Sequence, residues 1–121
     1  MSIIYVAAPY ELRNEATQAM VTLEKHGHSI TSRWLWETEE NGPTPADKDL
    51  EDIRMADTLL VLHPEEFEYK GTGGRHFEMG YAVALGKNIV LVGRRTNNFH
   101  HLNCVTVVES VEAYCDGHAQ S

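Results

Sequence analysis

The sequence predicts an α/β protein, a flavodoxin-like or Rossmann-like sandwich on a five-stranded parallel sheet in the order 2-1-3-4-5. Three observations carry this. The short runs Ile3–Ala7, Leu59–Leu62, Ile89–Val92 and Val105–Val108 are apolar at both parities, as strands covered on both faces are. Segments of helical period alternate with them. A glycine-rich loop, Gly71-Thr72-Gly73-Gly74, leads into an apolar helix. Strand, glycine loop and helix in that order form the unit in which open parallel sheets place their ligands.

The elements follow in order. Ile3–Ala7 is the first strand, bounded by Ala8-Pro9-Tyr10. A helix runs from about Leu12 to His26, because Ala16, Ala19, Met20 and Leu23 recur at helical spacing, and Gly27 ends it. His28 to Arg33 supplies a second, weaker strand. Trp34-Leu35-Trp36 then meets a polar loop, Glu37 to Pro45. The second helix spans Ala46 to Met55, with Leu50, Ile53 and Ala56 on its inner face and Asp47, Asp49, Glu51 and Asp52 loading its early turns with negative charge. Thr58–Leu62 is the third strand. Gly74 to Leu85 is a helix apolar nearly all round, closed by Gly86. Asn88–Val92 and Val105–Val108 are the last strands, joined by a polar loop, Gly93 to Asn103. Ser110 or Glu109 opens a short terminal helix, and the tail frays from Asp116.

Composition bounds the function. The 121 residues suit one domain, residues 1–121, with a core that needs no disulfide or metal. A net charge of −8 with no run of Lys or Arg argues against nucleic-acid polymers as partners. Cys104 and Cys115 lack metal-type spacing and read as free thiols. The adjacent His100 and His101 point apart, so no metal and no cofactor is expected. There is no membrane-length apolar stretch, and the strand-like run at residue 3 leaves no room for a signal peptide. A cytoplasmic protein is the expectation.

The site is read from the glycine loop outward. Gly71, Gly73 and Gly74 before a helix present backbone N–H groups to an anion, or else simply make a tight turn. Glu78 stands among Phe77, Met79 and Tyr81 on the apolar helix, where an unpaired carboxylate is costly. It therefore either works at a crevice mouth or pairs with Arg75 or His76. The helix N-terminus is expected to favour its ionised form, which suits a nucleophile. A helix with no polar face also suits a contact between subunits, so a homodimer or higher homo-oligomer is expected.

Three blocks together resemble the nucleoside 2-deoxyribosyltransferase family, which includes 2′-deoxynucleoside 5′-monophosphate N-glycosidases. They are Tyr5-Val6-Ala7-Ala8-Pro9-Tyr10, Asp49 through Asp57, and Gly71 through Lys87 with its core Glu78-Met79-Gly80-Tyr81-Ala82-Val83-Ala84-Leu85-Gly86-Lys87. The resemblance implies N-glycosidic bond chemistry. Glu78 matches the nucleophile that attacks C1′ of the sugar, with water or a second base then taking the sugar. Tyr5 matches a tyrosine that hydrogen-bonds this carboxylate, although strand tyrosines are more often core residues. Asp49 matches an acid serving the departing base, or else is a helix N-terminal charge.

One departure is informative. Transferases of free nucleosides often carry Asp six residues before the nucleophile, where this chain has Thr72. Thr72 and Arg75 would accept a phosphate that Asp would repel, which tilts the substrate toward a nucleoside 5′-monophosphate. The competing role for Arg75 is a surface or Glu66-type salt bridge. Pro9 and Tyr10 would line the same crevice. Relatives of this fold bring a polar residue from the region after the fourth strand across a dimer, so Asn98, His100 or Asn103 could reach the substrate's 5′ end. Trp34, Trp36 and Tyr10 could stack on a base, though tryptophans here more often serve a core. The expected ligand is a small nucleoside or nucleotide. The competing readings are a non-catalytic nucleotide sensor using the same crevice, and an interaction module.

Overall fold

The computed structural model describes residues 1–38, 40–63 and 73–117. Its strands are β1 (Ile3–Ala7), β2 (Ser29–Ile30), β3 (Thr58–His63), β4 (Asn88–Gly93) and β5 (Val105–Val108). Its helices are α1 (Arg13–Lys25), α2 (Ala46–Met55), α3 (Gly74–Ala84) and α4 (Val111–Cys115). The sheet is parallel throughout, in the order β2-β1-β3-β4-β5. This is the expected architecture. Helix α1 packs with α4, and α2 packs with α3. The chain leaves β1 in one direction along the sheet and β3 in the other, so right-handed crossovers place the two helix pairs on opposite faces. The carboxyl ends of β1 and β3 flank the point where the direction reverses, and a crevice opens there.

Every residue of β3 is buried, as both-face coverage requires. Leu59, Leu60, Val61, Ile4, Val6, Ile89 and Leu91 make the centre of the core. Each such side chain contributes on the order of 1.5–3 kcal/mol by leaving water. Gly93 ends β4 opposite His63, with φ 139°. A Cβ there would meet the His63 carbonyl oxygen at 2.2 Å, so only glycine lets the two strand ends approach.

Three local expectations change. The second strand stops at Ile30, and residues Arg33–Trp36 form a 3-10 turn instead of continuing it. Side chains replace the missing ladder. The Val6 N–H donates to Ser32 Oγ at 3.1 Å, and Trp34 Nε1 donates to the Val6 carbonyl at 2.7 Å. Trp34 is thus a core residue, whereas Trp36 is exposed.

Asp52, expected only as one of the negative charges in the early turns of α2, is buried. The Arg33 guanidinium donates to it at 2.8 Å and the Arg33 N–H at 3.0 Å, while Thr31 Oγ1 donates to its carbonyl at 2.8 Å. This clamp holds α2 against the segment after β2.

Helix α3 is not covered all round within one chain. Arg75, Met79 and Ala82 form the inner stripe, one helical turn apart, while Phe77, Gly80 and Ala84 face out. Elsewhere Ser110 caps α4 as expected, its Oγ accepting the Ala113 N–H at 3.0 Å. Gly71, Thr72 and the end of the tail lie outside the described residues.

Candidate active site

The crevice encloses about 510 Å³ and is lined by Ala8, Pro9 and Tyr10 after β1, Ala46, Asp49 and Leu50 on α2, and Gly73 to Glu78. That volume lies in the range of small-molecule sites. Gly73 takes the left-handed conformation, φ 92°, as the cap before α3. Its carbonyl then accepts from the His76 and Phe77 N–H groups, which closes the first turn of the helix. Tyr10 forms the rim, its ring under the Arg13 guanidinium at 4.5 Å.

Glu78 is the fifth residue of α3 and points back toward β1. Tyr5, in the middle of β1 and fully buried, donates its phenol to Glu78 Oε2. Burial raises the Glu78 carboxyl to about 7, and the charges of Asp49 and Glu37 add to that; the Tyr5 hydrogen bond works against it. The expectation that the helix N-terminus holds Glu78 ionised is therefore corrected. The macrodipole acts mainly within the first turn, Glu78 lies beyond it, and desolvation wins. The same burial, with the Glu78 carboxylate alongside, raises the Tyr5 phenol. Tyr5 stays a proton donor.

Asp49 faces Glu78 from α2. Its Oδ1 is buried without a hydrogen-bond partner among the described residues. Burial, then the Glu37 and Asp52 charges, raise it to about 6, while Arg33 opposes them. Two carboxyl groups with acidities near neutrality thus share one crevice. Carboxyls perturbed by burial in a cleft are candidates for proton transfer or nucleophilic attack. Asp57, by contrast, is structural. It accepts from the Ile3 N–H at 3.0 Å and from Thr58 Oγ1 at 2.7 Å, tying the starts of β1 and β3 together.

Arg75 lines the crevice beside Glu78 and is 7% exposed, so it is not a surface residue, and the pairing with Glu66 that the sequence allowed falls on a residue outside the described ones. Its Nη2 donates to His76 Nε2 at 3.2 Å. Pro9, Tyr10, Gly73 and Gly74 line the crevice as expected.

His100 does not. It is 1% exposed, with Nδ1 accepting the Thr96 N–H at 3.0 Å, and it is not a contact for a ligand in its own chain's crevice. The loop after β4 folds into a 3-10 turn, Asn98–His101, capped by the Asn97 side chain, and this turns His100 inward. Asn98 and Asn103 are exposed away from the crevice.

Two contributors escaped the sequence reading. Glu37, in the polar loop, acts on both carboxyls, and His76 lines the crevice. Nothing in the local sequence around Glu37 marks it. The position of His76 beside Arg75 at a helix start was the only available signal.

Among the described residues no group of His, Cys, Asp and Glu is arranged to hold a metal ion, and no helix is long and apolar enough to cross a membrane.

Two solved structures share this architecture. The CMP N-glycosidase BcmB of Clostridium botulinum matches with a TM-score of 0.61 at 17% identity, over 95% of this chain and 96% of that one. The 2-deoxyribosyltransferase of Leishmania mexicana matches with a TM-score of 0.56 at 20% identity, over 83% of this chain and 69% of that one. At such identities the likeness establishes the fold. No family model and no curated protein matches the chain.

Proposed function

We propose that the protein cleaves the N-glycosidic bond of a nucleoside 5′-monophosphate or nucleoside in two steps through a glycosyl ester on Glu78. The observation that carries this is the Tyr5-bonded Glu78 carboxyl at the crevice floor with Asp49 facing it. The N-glycosidase and deoxyribosyltransferase neighbours support the same chemistry.

A Glu78 oxygen attacks C1′, and the bond from C1′ to the base nitrogen breaks. The electron pair leaves with the base, which takes the Asp49 proton. Water or a second base then attacks C1′, and the bond to Glu78 breaks. Asp49 removes the proton of an attacking water. The route divides a reaction with oxocarbenium character into two easier displacements. Arg75, in the crevice beside the start of α3, favours a 5′-phosphate over a 5′-hydroxyl. We place the enzyme among cytoplasmic enzymes of nucleotide metabolism.

The test is incubation with each common nucleoside and 5′-monophosphate, with and without free bases, followed by chromatography. Released or exchanged base is expected, lost by about three orders of magnitude in Glu78→Gln. Nucleotide binding without any base release would instead make the crevice a sensor. Equal turnover of free nucleosides and monophosphates would remove the phosphate preference.

A groove beside the crevice supports a second copy of the chain as partner. Met79, Gly80, Val83, Phe99, Leu102 and Val105 line it, and Phe99 is 68% exposed. A face this apolar at the end of the sheet is expected to be covered. Light scattering should give at least a dimer that Phe99→Asp dissociates; a monomer at micromolar concentration overturns this.

A further inference from the structure

We infer that Glu37 reads the far edge of the nucleobase, and that the protein prefers bases with an amino group there, cytosine and adenine, over their oxo counterparts, uracil and hypoxanthine. This rests on the nucleotide reading above and names the class of base for it.

The crevice continues past Tyr10. A second cavity of about 440 Å³, lined by Tyr10, Glu37, Thr38, Gly42 and Pro43, shares that residue with it. Glu37 brings a carboxylate to this space, and its own loop fixes the position. The Glu37 N–H donates to the Trp34 carbonyl at 3.0 Å, and Glu37 Oε1 accepts the Thr44 N–H at 2.8 Å. Between these points the Gly42 N–H donates to the Thr38 carbonyl at 2.8 Å, and the Asn41 N–H to Thr38 Oγ1 at 2.9 Å. The Thr44 contact takes one of about four lone-pair sites on the carboxylate, so accepting capacity remains. An acceptor held in place is what reading a base edge requires.

The direction of the base points to the same residue. In the reaction proposed above, C1′ lies against Glu78 and the departing base takes the Asp49 proton. The base therefore extends from Glu78 past Asp49. The charge of Glu37 acts on both of those carboxyls, and on Glu78 it acts less strongly than Asp49 does. Glu37 thus stands farther from the sugar than Asp49, where the far edge of the base arrives.

A carboxylate only accepts. The 4-amino group of cytosine and the 6-amino group of adenine donate to it. The corresponding oxygens of uracil and hypoxanthine present lone pairs to the same charge. The members of each pair have nearly the same size, so the choice falls on one donor against one acceptor. A hydrogen bond to a charged group makes that worth ~10–100-fold.

The experiment measures kcat/KM for the 5′-monophosphates of cytidine, uridine, adenosine and inosine, each as ribo and 2′-deoxy forms. Intact protein should favour cytidine over uridine and adenosine over inosine by ~10–100-fold. Glu37→Gln keeps an acceptor for the Thr44 N–H, but its amide also donates to a carbonyl, so both ratios should fall ~10-fold or more. The lost charge changes the acidities of Asp49 and Glu78 for every substrate alike and cancels in the ratios. Glu37→Asp keeps the charge and withdraws it by one methylene, so the ratios should fall there too. A residue that only closes its loop would change the melting temperature and leave the ratios alone. Uracil and hypoxanthine released as fast as their amino counterparts, or ratios unchanged in both variants, overturn the role of Glu37 and leave the N-glycosidase reading standing. Release of no base from any of these nucleotides overturns both.

Discussion

Replacing Tyr5 by Phe removes one oxygen from the crevice floor and nothing else from the volume of the core. That oxygen donates to Glu78, and it is the one influence identified on Glu78 that favours the ionised carboxyl; burial, Asp49 and Glu37 all oppose it. A hydrogen bond to a charged group is worth ~1.5–3 kcal/mol, and 1.36 kcal/mol corresponds to about one pKa unit. The variant carboxyl should therefore rise by ~1–2 units from its value of about 7. At pH 7 the ionised fraction falls from about one half to between roughly a tenth and a hundredth, so glycosyl-enzyme formation slows ~5–50-fold. Carbon NMR of protein labelled at the Glu side-chain carboxyl measures the titration directly, with Glu78→Gln assigning the resonance. Rapid-quench turnover at pH 7 measures the rate. A Glu78 that titrates at the same pH or lower in Tyr5→Phe refutes the reasoning, because the phenol would then not be holding the charge.

The remaining expectations are narrower. Attack needs Glu78 ionised, which is lost below about 7, and base departure needs Asp49 protonated, which is lost above about 6. The pH profile of kcat/KM should thus be a bell centred between those values. Asp49→Asn should remove the alkaline limb and slow base release ~10²–10⁴-fold.

Glu78→Gln should stabilise the fold in a pH-dependent way. The folded carboxyl is raised to about 7 against ~4.3 when unfolded, so its stabilising contribution is complete below the lower value and lost as pH rises through the upper one. The advantage of the variant should grow across that window to on the order of 1–3 kcal/mol, read as a melting temperature gained at pH 8 but not at pH 4. Gly93→Ala should lower the melting temperature by ~10 °C or more, because its Cβ would strike the His63 carbonyl at 2.2 Å; an unchanged melting temperature would mean the strand ends can separate.

Much of this architecture was legible from local pattern. Both-parity apolar runs announced β1, β3, β4 and β5, and the helical period with glycine stops bounded α1 and α3 to within a residue or two. The parallel order follows from alternation and handedness, which act on any chain of this pattern. That order in turn brought Tyr5, Pro9, Tyr10, Asp49, Gly73, Gly74, Arg75 and Glu78 to one crevice from three distant blocks. Where side chains took over from the backbone, local pattern failed. Ser32 and Trp34 close the edge of β1 in place of a longer second strand, and Asp52 is withdrawn from solvent by Arg33.

By itself, then, the sequence determined the order of elements, the crevice and the carboxylate at its floor, because those depend on periodicity and on glycine positions along the chain. Only the tertiary structure decided the direction in which the acidity of that carboxylate shifts. Position on the helix argued for ionisation, whereas burial against β1 with Asp49 and Glu37 nearby raises it to about 7. The reach of Glu37 toward both carboxyls was likewise invisible, since it stands in a polar loop and acts on them only across the fold. Desolvation and proximity are properties of the folded surroundings, and no local stretch of residues encodes them.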